Sequence, residues 1–240
     1  MVIVILKVNT IVARRLPERH KYASCPYDGK ILQYYKDQFE SVFVMLHPFF
    51  NPKNIELEAF YNEKWPTKAE IVEGGEPVLW SRILTLTGFS RLSEIDIALR
   101  TNIGSLGKKE ANPNNLDILD AITEAEGLIY PTEGELAPLL ENRLFRALQT
   151  LNYQWVWVGD EFCTERKLCW IDDLIQDEEI PYSGCIFTHD CSLLITTHWD
   201  SHCSFLCSSK AKIESILAID RFEGFYCTDR TEVYWGLHEI

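Results

Sequence analysis

A chain of 240 residues is long enough to bury a sizeable core, and a composition 46% hydrophobic and 25% charged is that of a globular protein. The formal net charge of -13 argues against a duplex nucleic-acid binder, whose affinity comes largely from Lys and Arg on phosphates. The acidity is uneven: residues 151–240 carry 16 acidic and 6 basic side chains, against 8 and 10 in residues 1–70, so the C-terminal part projects a negative field suited to a basic partner or a cation.

The start, MVIVILKVNTIVARR, reads as a strand from its Val and Ile content. It lacks the basic n-region and cleavage site of a secretory leader, and it is shorter than the roughly 20 residues of a membrane span. The eight cysteines therefore read as reduced thiols of a cytoplasmic protein, mostly buried as small apolar residues, and no CxxC pair is present.

Val42 to Leu46 is a second apolar run, closed by His47-Pro48, and Asn51 to Trp65 reads as irregular. Thr67-Lys68-Ala69-Glu70 is a capping box for a short helix stopped by Gly74-Gly75. Glu76-Pro77 reads as the restart of a helix running through Trp80, Ile83 and Leu84 to Gly88. Ser90 or Ser93 opens the next, through Ile95, Ile97 and Leu99, and a further helix covers Leu116 to Glu124. Thr132-Glu133-Gly134-Glu135 is a second capping box, ahead of Leu136, Leu140, Leu144, Leu148 and Leu151 at helical spacing.

Beyond residue 152 the period changes. Gln154–Val158 and Lys167–Ile171 read as strands, with Trp155 and Trp157 on one face and packed under a helix; Asp172–Glu179 is an acidic loop or a short exposed helix. Cys185–Thr188, Leu193–Thr196 and Cys203–Leu206, separated by turn-length breaks, predict an antiparallel meander. A helix from Ser209 and a hairpin of Phe222–Cys227 with Glu232–Trp235 close the chain. The class is α+β: a helical N-terminal half packed on one face of a mainly antiparallel sheet built largely from the C-terminal half. The expected organisation is a single domain over 1–240, with a subdivision near 152 as the alternative.

The densest chemistry is THWDSHCSFLC, Thr197 to Cys207. If its strand ran straight, period two would put His198, Asp200 and His202 on one face, as ligands for zinc or iron. Asp200-Ser201, however, favours a reversal, with the two histidines flanking a turn and Asp200 bonding backbone amides. That is the expected arrangement, with no metal and no cofactor. A thiol nucleophile would best be Cys207, ahead of the helix at Ser209. No phosphate loop, dinucleotide fingerprint, HExxH or GxSxG is present.

GEPVLWS (Gly75–Ser81), IALRTNIGSL (Ile97–Leu106), THWDSHCSFL (Thr197–Leu206), FEGFYC (Phe222–Cys227) and TEVYW (Thr231–Trp235) resemble a bacterial family of Bacillus and its relatives, domain of unknown function 2711, over about residues 42–236. The resemblance implies a bacterial cytoplasmic protein and carries no activity. The C-terminal plan is similar, more loosely, to immunity-type modules that neutralise toxins. The reading is a non-enzymatic binding module, immunity-like or regulatory, whose acidic C-terminal face meets a basic protein, without nucleic acid or membrane. The alternative is a metal- or thiol-dependent enzyme centred on His198, Asp200 and His202.

Overall fold

A computed structural model describes residues 24–61, 65–160, 164–176 and 184–238; the predicted N-terminal strand and the end of the acidic run lie outside them. After a single turn, α1 (Ile31–Tyr34), the first apolar run forms β1 (Ser41–Leu46). A strand, β2 (Phe49–Pro52), runs into the start of the segment expected to be irregular from Asn51, which then holds a 3-10 turn at Leu57–Tyr61. The first capping box forms as its sequence dictates: Glu70 N–H donates to Thr67 Oγ1 at 3.3 Å and Thr67 N–H to Glu70 Oε2 at 2.8 Å, opening α2 (Lys68–Gly74).

Glu76-Pro77 does not restart a helix. Gly75–Val78 is β3, antiparallel to β2 with Val78 opposite Phe49 and Pro77 opposite Phe50. A Cβ on Gly75 would lie 2.3 Å from Phe50 Cζ, so only glycine lets this ribbon close. Pro77 lacks an N–H, which an edge position tolerates. The helix begins later, as α3 (Trp80–Thr87), and the carboxylate of Glu223 caps it from the far end of the chain, accepting from Trp80 N at 2.5 Å and Ser81 N at 2.9 Å. In α4 (Leu92–Asn102) Glu94 reaches back to the amides of Ser90 and Arg91. Helix α5 (Pro113–Glu126) starts ahead of Leu116, with Pro113 in its first turn and Asn112 as its cap.

The second capping box does not form. Helix α6 (Pro138–Thr150) starts with Pro at its first position and no side-chain cap. Residues 131–137 instead run as an extended loop, in which Gly134, at φ 71°, donates its N–H to Ser201 O at 3.0 Å. The two TxxE motifs should therefore respond differently to mutation. Thr67→Ala should cost about 1 kcal/mol of stability, as other lost caps do. Thr132→Ala should stay within about 0.5 kcal/mol, since it removes no cap. Urea unfolding of both variants tests this, and equal losses would contradict the assignment.

The C-terminal half continues with β4 (Trp155–Gly159), β5 (Arg166–Trp170), the short helix α7 (Ile171–Gln176), β6 (Cys185–Thr188), β7 (Leu194–Thr197) and β8 (Cys203–Ser208). Helix α8 (Lys210–Ile219) follows, capped by Ser209, and then β9 (Gly224–Tyr226). The expected terminal hairpin is absent. Strand β9 pairs with β1, while Glu232 bridges to Lys30 and Trp235–Leu237 is a 3-10 turn.

The fold is α+β, as its sequence predicts. Among the described residues seven strands form one antiparallel sheet in the order β5-β4-β6-β7-β8-β1-β9, and the predicted meander is its centre. The helices lie on both faces, not one. Val42, Val44, Phe205 and Cys207 pack with Trp80, Ile83, Ile95 and Leu99. Phe43, Met45, Ile195 and Leu206 pack with Leu144, Leu148 and Ile213 on the opposite side. The cause is visible in β6, β7 and β8, where every residue is buried: strands without a polar face need cover on both sides. Trp155 and Trp157 are half-buried and lean on sheet neighbours, Trp170 at 5.1 Å and Phe187 at 6.3 Å between ring centroids. Among the described residues no helix is long and apolar enough to cross a membrane.

Candidate functional site

The stretch Thr197–Cys203 is a turn, with Trp199 and Asp200 at its tip and Ser201 N–H donating to His198 O at 3.1 Å. His198 is held as a neutral tautomer. Its Nε2–H donates to Tyr27 O at 3.0 Å, so its Nδ1 accepts from Asp200 N–H at 3.1 Å. Burial pushes its pKa down. The sequence predicts that the Asp200 carboxylate bonds backbone amides; instead it accepts from the Tyr234 hydroxyl at 3.3 Å. His202 is buried, with Nδ1 unpartnered, and its pKa is pushed down to about 3 by burial and by the neighbouring His47 and Arg100. The three side chains are thus committed to different surroundings, and no group of three His, Cys, Asp or Glu among the described residues is placed to hold a metal ion. Cys207 is fully buried on β8, and burial raises its thiol well above the ordinary range, the opposite of what a nucleophile needs.

Two buried polar groups fix this turn to the rest of the molecule. Arg100, on α4, donates from Nε to Asp96, from Nη1 to Asp200 O at 2.5 Å and from Nη2 to Val233 O at 3.2 Å. His47 Nδ1–H donates to Thr132 O at 2.8 Å, so its Nε2 accepts from Ser204 Oγ–H at 2.8 Å. This Ser–His contact has the spacing of a nucleophile and its base, but both side chains are fully buried and no substrate reaches them.

The loop that His47 and Gly134 hold in place is one wall of a cleft of about 830 Å³. Phe50, Phe60, Trp65 and Ile71 face it from one side, and Pro131, Leu136 and Pro138 from the other. Its charged groups are Glu133, Glu135, Glu141 and Lys68. Lys68 Nζ sits 2.6 Å from Glu141 Oε2 and also donates to Leu174 O at 3.2 Å. Its charge is therefore already matched. Burial raises the carboxyl pKa of Glu135. Burial and the charge of Asp200 raise that of Glu133, and burial outweighs Lys68 in raising that of Glu141. Carboxyls perturbed by desolvation in an apolar cleft are the pattern expected of a binding site.

A second polar cluster lies at the β6–β7 turn. Lys212 donates to Tyr153 Oη at 2.6 Å and Ser192 Oγ at 2.5 Å, and both hydroxyls donate to Asp190. The residue types are those of Ser–Lys–Tyr hydrolytic sites. Here, however, both hydroxyl protons point at a carboxylate whose pKa those hydrogen bonds hold far below the usual range, and the Lys212 ammonium donates to the hydroxyls, so no group is left to act as base. The cluster pins the turn, where Cys191 takes a φ of 54°, to the first turn of α8.

Residues 27–237 match the family described as Protein of unknown function (DUF2711). The chain belongs to this family. The DUF2711 match contains both the 197–203 turn and every residue that lines the cleft, and it is the family that GEPVLWS and THWDSHCSFL resemble. A protein of Bacillus subtilis (strain 168), named Uncharacterized protein YwbB, is 25% identical over 114 residues, 46% of this chain and 50% of that protein. The chain thus spans about half the length of the curated relative that it matches. No solved structure matches.

The cleft escaped sequence reasoning because its walls are far apart in the chain, near 48–71 and 129–141. One signal was present: four prolines, Pro48, Pro66, Pro131 and Pro138, punctuate the two segments and line the cleft. Proline clusters mark extended backbone that leaves side chains free to form a rim.

Proposed function

We propose that this DUF2711 protein is a binding module and that the cleft beside α2 and α6 takes a cationic group carried on an apolar body. The observation that carries this reading is the lining itself: aromatic and proline walls, three carboxyls, and one lysine whose charge Glu141 already matches. A cation entering there meets the negative ring faces of Trp65 and Phe60 and the carboxyl of Glu135. An anion would meet the carboxyls and a lysine whose charge Glu141 already matches. The family and its Bacillus relative support a bacterial protein and leave the ligand open. The acidic face expected in 151–240 supplies none of these carboxyls, which lie between residues 133 and 141. A reducing, cytoplasmic setting fits the seven described cysteines, all free thiols.

Calorimetric titration with phenethylamine, its neutral alcohol analogue and phenylpropionate tests the reading. The amine should bind, the alcohol more weakly and the carboxylate not at all. Glu135→Gln should weaken the amine by at least about tenfold, the loss of one desolvated charge-assisted contact. Equal binding of amine and carboxylate, or no binding of the amine, would overturn it.

A further inference from the structure

Resting on that reading, we infer that the natural occupant is a basic polypeptide segment that lies across the cleft and two neighbouring depressions arranged around Trp65. The first cleft is not alone. A second, of about 570 Å³, lies between the Leu57–Tyr61 turn and α5, and a third, of about 560 Å³, between that turn and α2. Trp65 lines all three. Phe60, Ile129 and Tyr130 are shared by the first and second, and Pro66 by the first and third. The three depressions therefore form one continuous surface, with a single indole at its centre.

Each depression carries its own carboxylates. The second has Asp120 and Glu124. The third has Glu56 and Glu73, together with Glu70, which is engaged in the Thr67 capping box. Among the described residues that line the three, Lys68 is the one cation, and it pairs with Glu141. At the same place large apolar side chains face solvent: Tyr61 is 79% exposed, Trp65 54% and Leu57 37%. Aromatic groups in solvent cost free energy unless a partner covers them, and a surface both aromatic and acidic selects its partner.

The chemistry of that partner follows from charge and reach. Phosphate-bearing ligands, nucleic acid included, meet repulsion in every depression. A small cation fills one depression and leaves the others open. An extended polypeptide presents alternate side chains on one face roughly 7 Å apart, so successive basic residues can reach separate carboxylate groups while the backbone crosses Trp65. Arginine suits the site better than lysine, because its planar guanidinium stacks on aromatic faces and pairs with carboxylates in a fork. Several such contacts on one chain raise affinity through effective concentration, without any one of them being strong.

The test compares four probes on the full chain by fluorescence anisotropy or calorimetry: acetyl-arginine amide, a capped hexapeptide alternating arginine and alanine, the same peptide with glutamate for arginine, and spermine. The arginine hexapeptide should bind at least about thirtyfold tighter than the single arginine amide. It should weaken by about tenfold or more when salt rises from about 0.05 M to about 0.5 M, as the Debye length shrinks. Glu124→Gln, at an exposed position, should weaken the hexapeptide by a larger factor than the single arginine amide. Trp65→Ala, with folding checked by circular dichroism, should remove most of the gain from length. A hexapeptide no tighter than the single amide would overturn the three-depression inference while the cleft reading stood. Spermine matching the hexapeptide would overturn it too, by reducing the surface to a collector of polycations. Failure of both arginine probes together with phenethylamine would remove the cleft reading itself.

Discussion

Acidification from pH 6.5 to 4.5 should remove on the order of 5 kcal/mol of folding stability through the buried histidines. Among the described residues three histidines, His47, His198 and His202, are buried in neutral form. His47, whose pKa is pushed down to about 4, makes one hydrogen bond as donor and one as acceptor, and has no carboxylate among those partners. His202 is pushed down to about 3 in the company of His47 and Arg100, and burial also lowers His198. An unfolded histidine titrates near 6.5. Between that value and the depressed folded one, the unfolded chain binds the extra proton and the folded chain does not. Stability therefore rises with pH across this window and falls as pH drops through it. The raised carboxyls of Glu133, Glu135 and Glu141 act in the opposite sense, because the folded state takes their protons first; they offset part of the loss near the acid end. Urea unfolding at pH 7.5, 6, 5 and 4.5 measures the slope. His47→Gln, which has no proton to gain, should flatten it by roughly half even if its stability at pH 7.5 is lower. A stability unchanged from pH 7.5 to 4.5 would mean that the histidines are hydrated rather than buried.

Arg100→Ala should cost about 3–5 kcal/mol, the range for removing one partner of a buried ion pair. The guanidinium is completely buried, and it holds Asp96, the carbonyl of Asp200 and the carbonyl of Val233 at once, stacked 4.6 Å from the centre of the Tyr234 ring. It is the point where α4, the 197–203 turn and the C-terminal segment meet. Its loss strands a buried carboxylate and two carbonyls. Arg100→Lys keeps the charge but not the fork, and should recover only part of the stability. Removing both charges, as Asp96→Leu with Arg100→Met, should cost less than Arg100→Ala alone, because no charge is left unpaired. Chemical denaturation of the set gives the cycle. Hydrogen exchange should localise the loosening of Arg100→Lys to 198–202 and 233–237. An Arg100→Ala variant within 1 kcal/mol of the parent, or a double variant worse than the single one, would refute this account.

The paired TxxE motifs show how far local sequence reaches. At Thr67 the box forms from its own two residues. At Thr132 the same pattern is overridden: His47 takes the Thr132 carbonyl, Ser201 takes the Gly134 amide, and Pro138 starts the helix instead. Two tertiary hydrogen bonds to a loop outweigh a cap worth about 1 kcal/mol. Glu76-Pro77 failed as a helix start for a related reason. Proline at a first helical turn and proline on an edge ribbon satisfy the same local rule, and only the approach of Phe50 to Gly75 decides between them.

Elements whose reasons are local were legible in the residues. These are the meander, whose short apolar runs are separated by turn residues; the helices with their own caps; and the reversal at Asp200-Ser201, which makes two histidines flank a turn. The α+β class follows from the change of period near residue 152. Long-range contacts set the neighbours of the strands outside the meander, so that β1 enters between β8 and β9 and the helices divide between two faces. They also decided the site. Periodicity describes contacts within a few residues, and a cleft is made by contacts across the chain. Lys68 meets Glu141, and Trp65 faces Glu135 across a gap, only because the folded sheet carries the His47 ring to the Thr132 carbonyl and so sets the position of the loop between them.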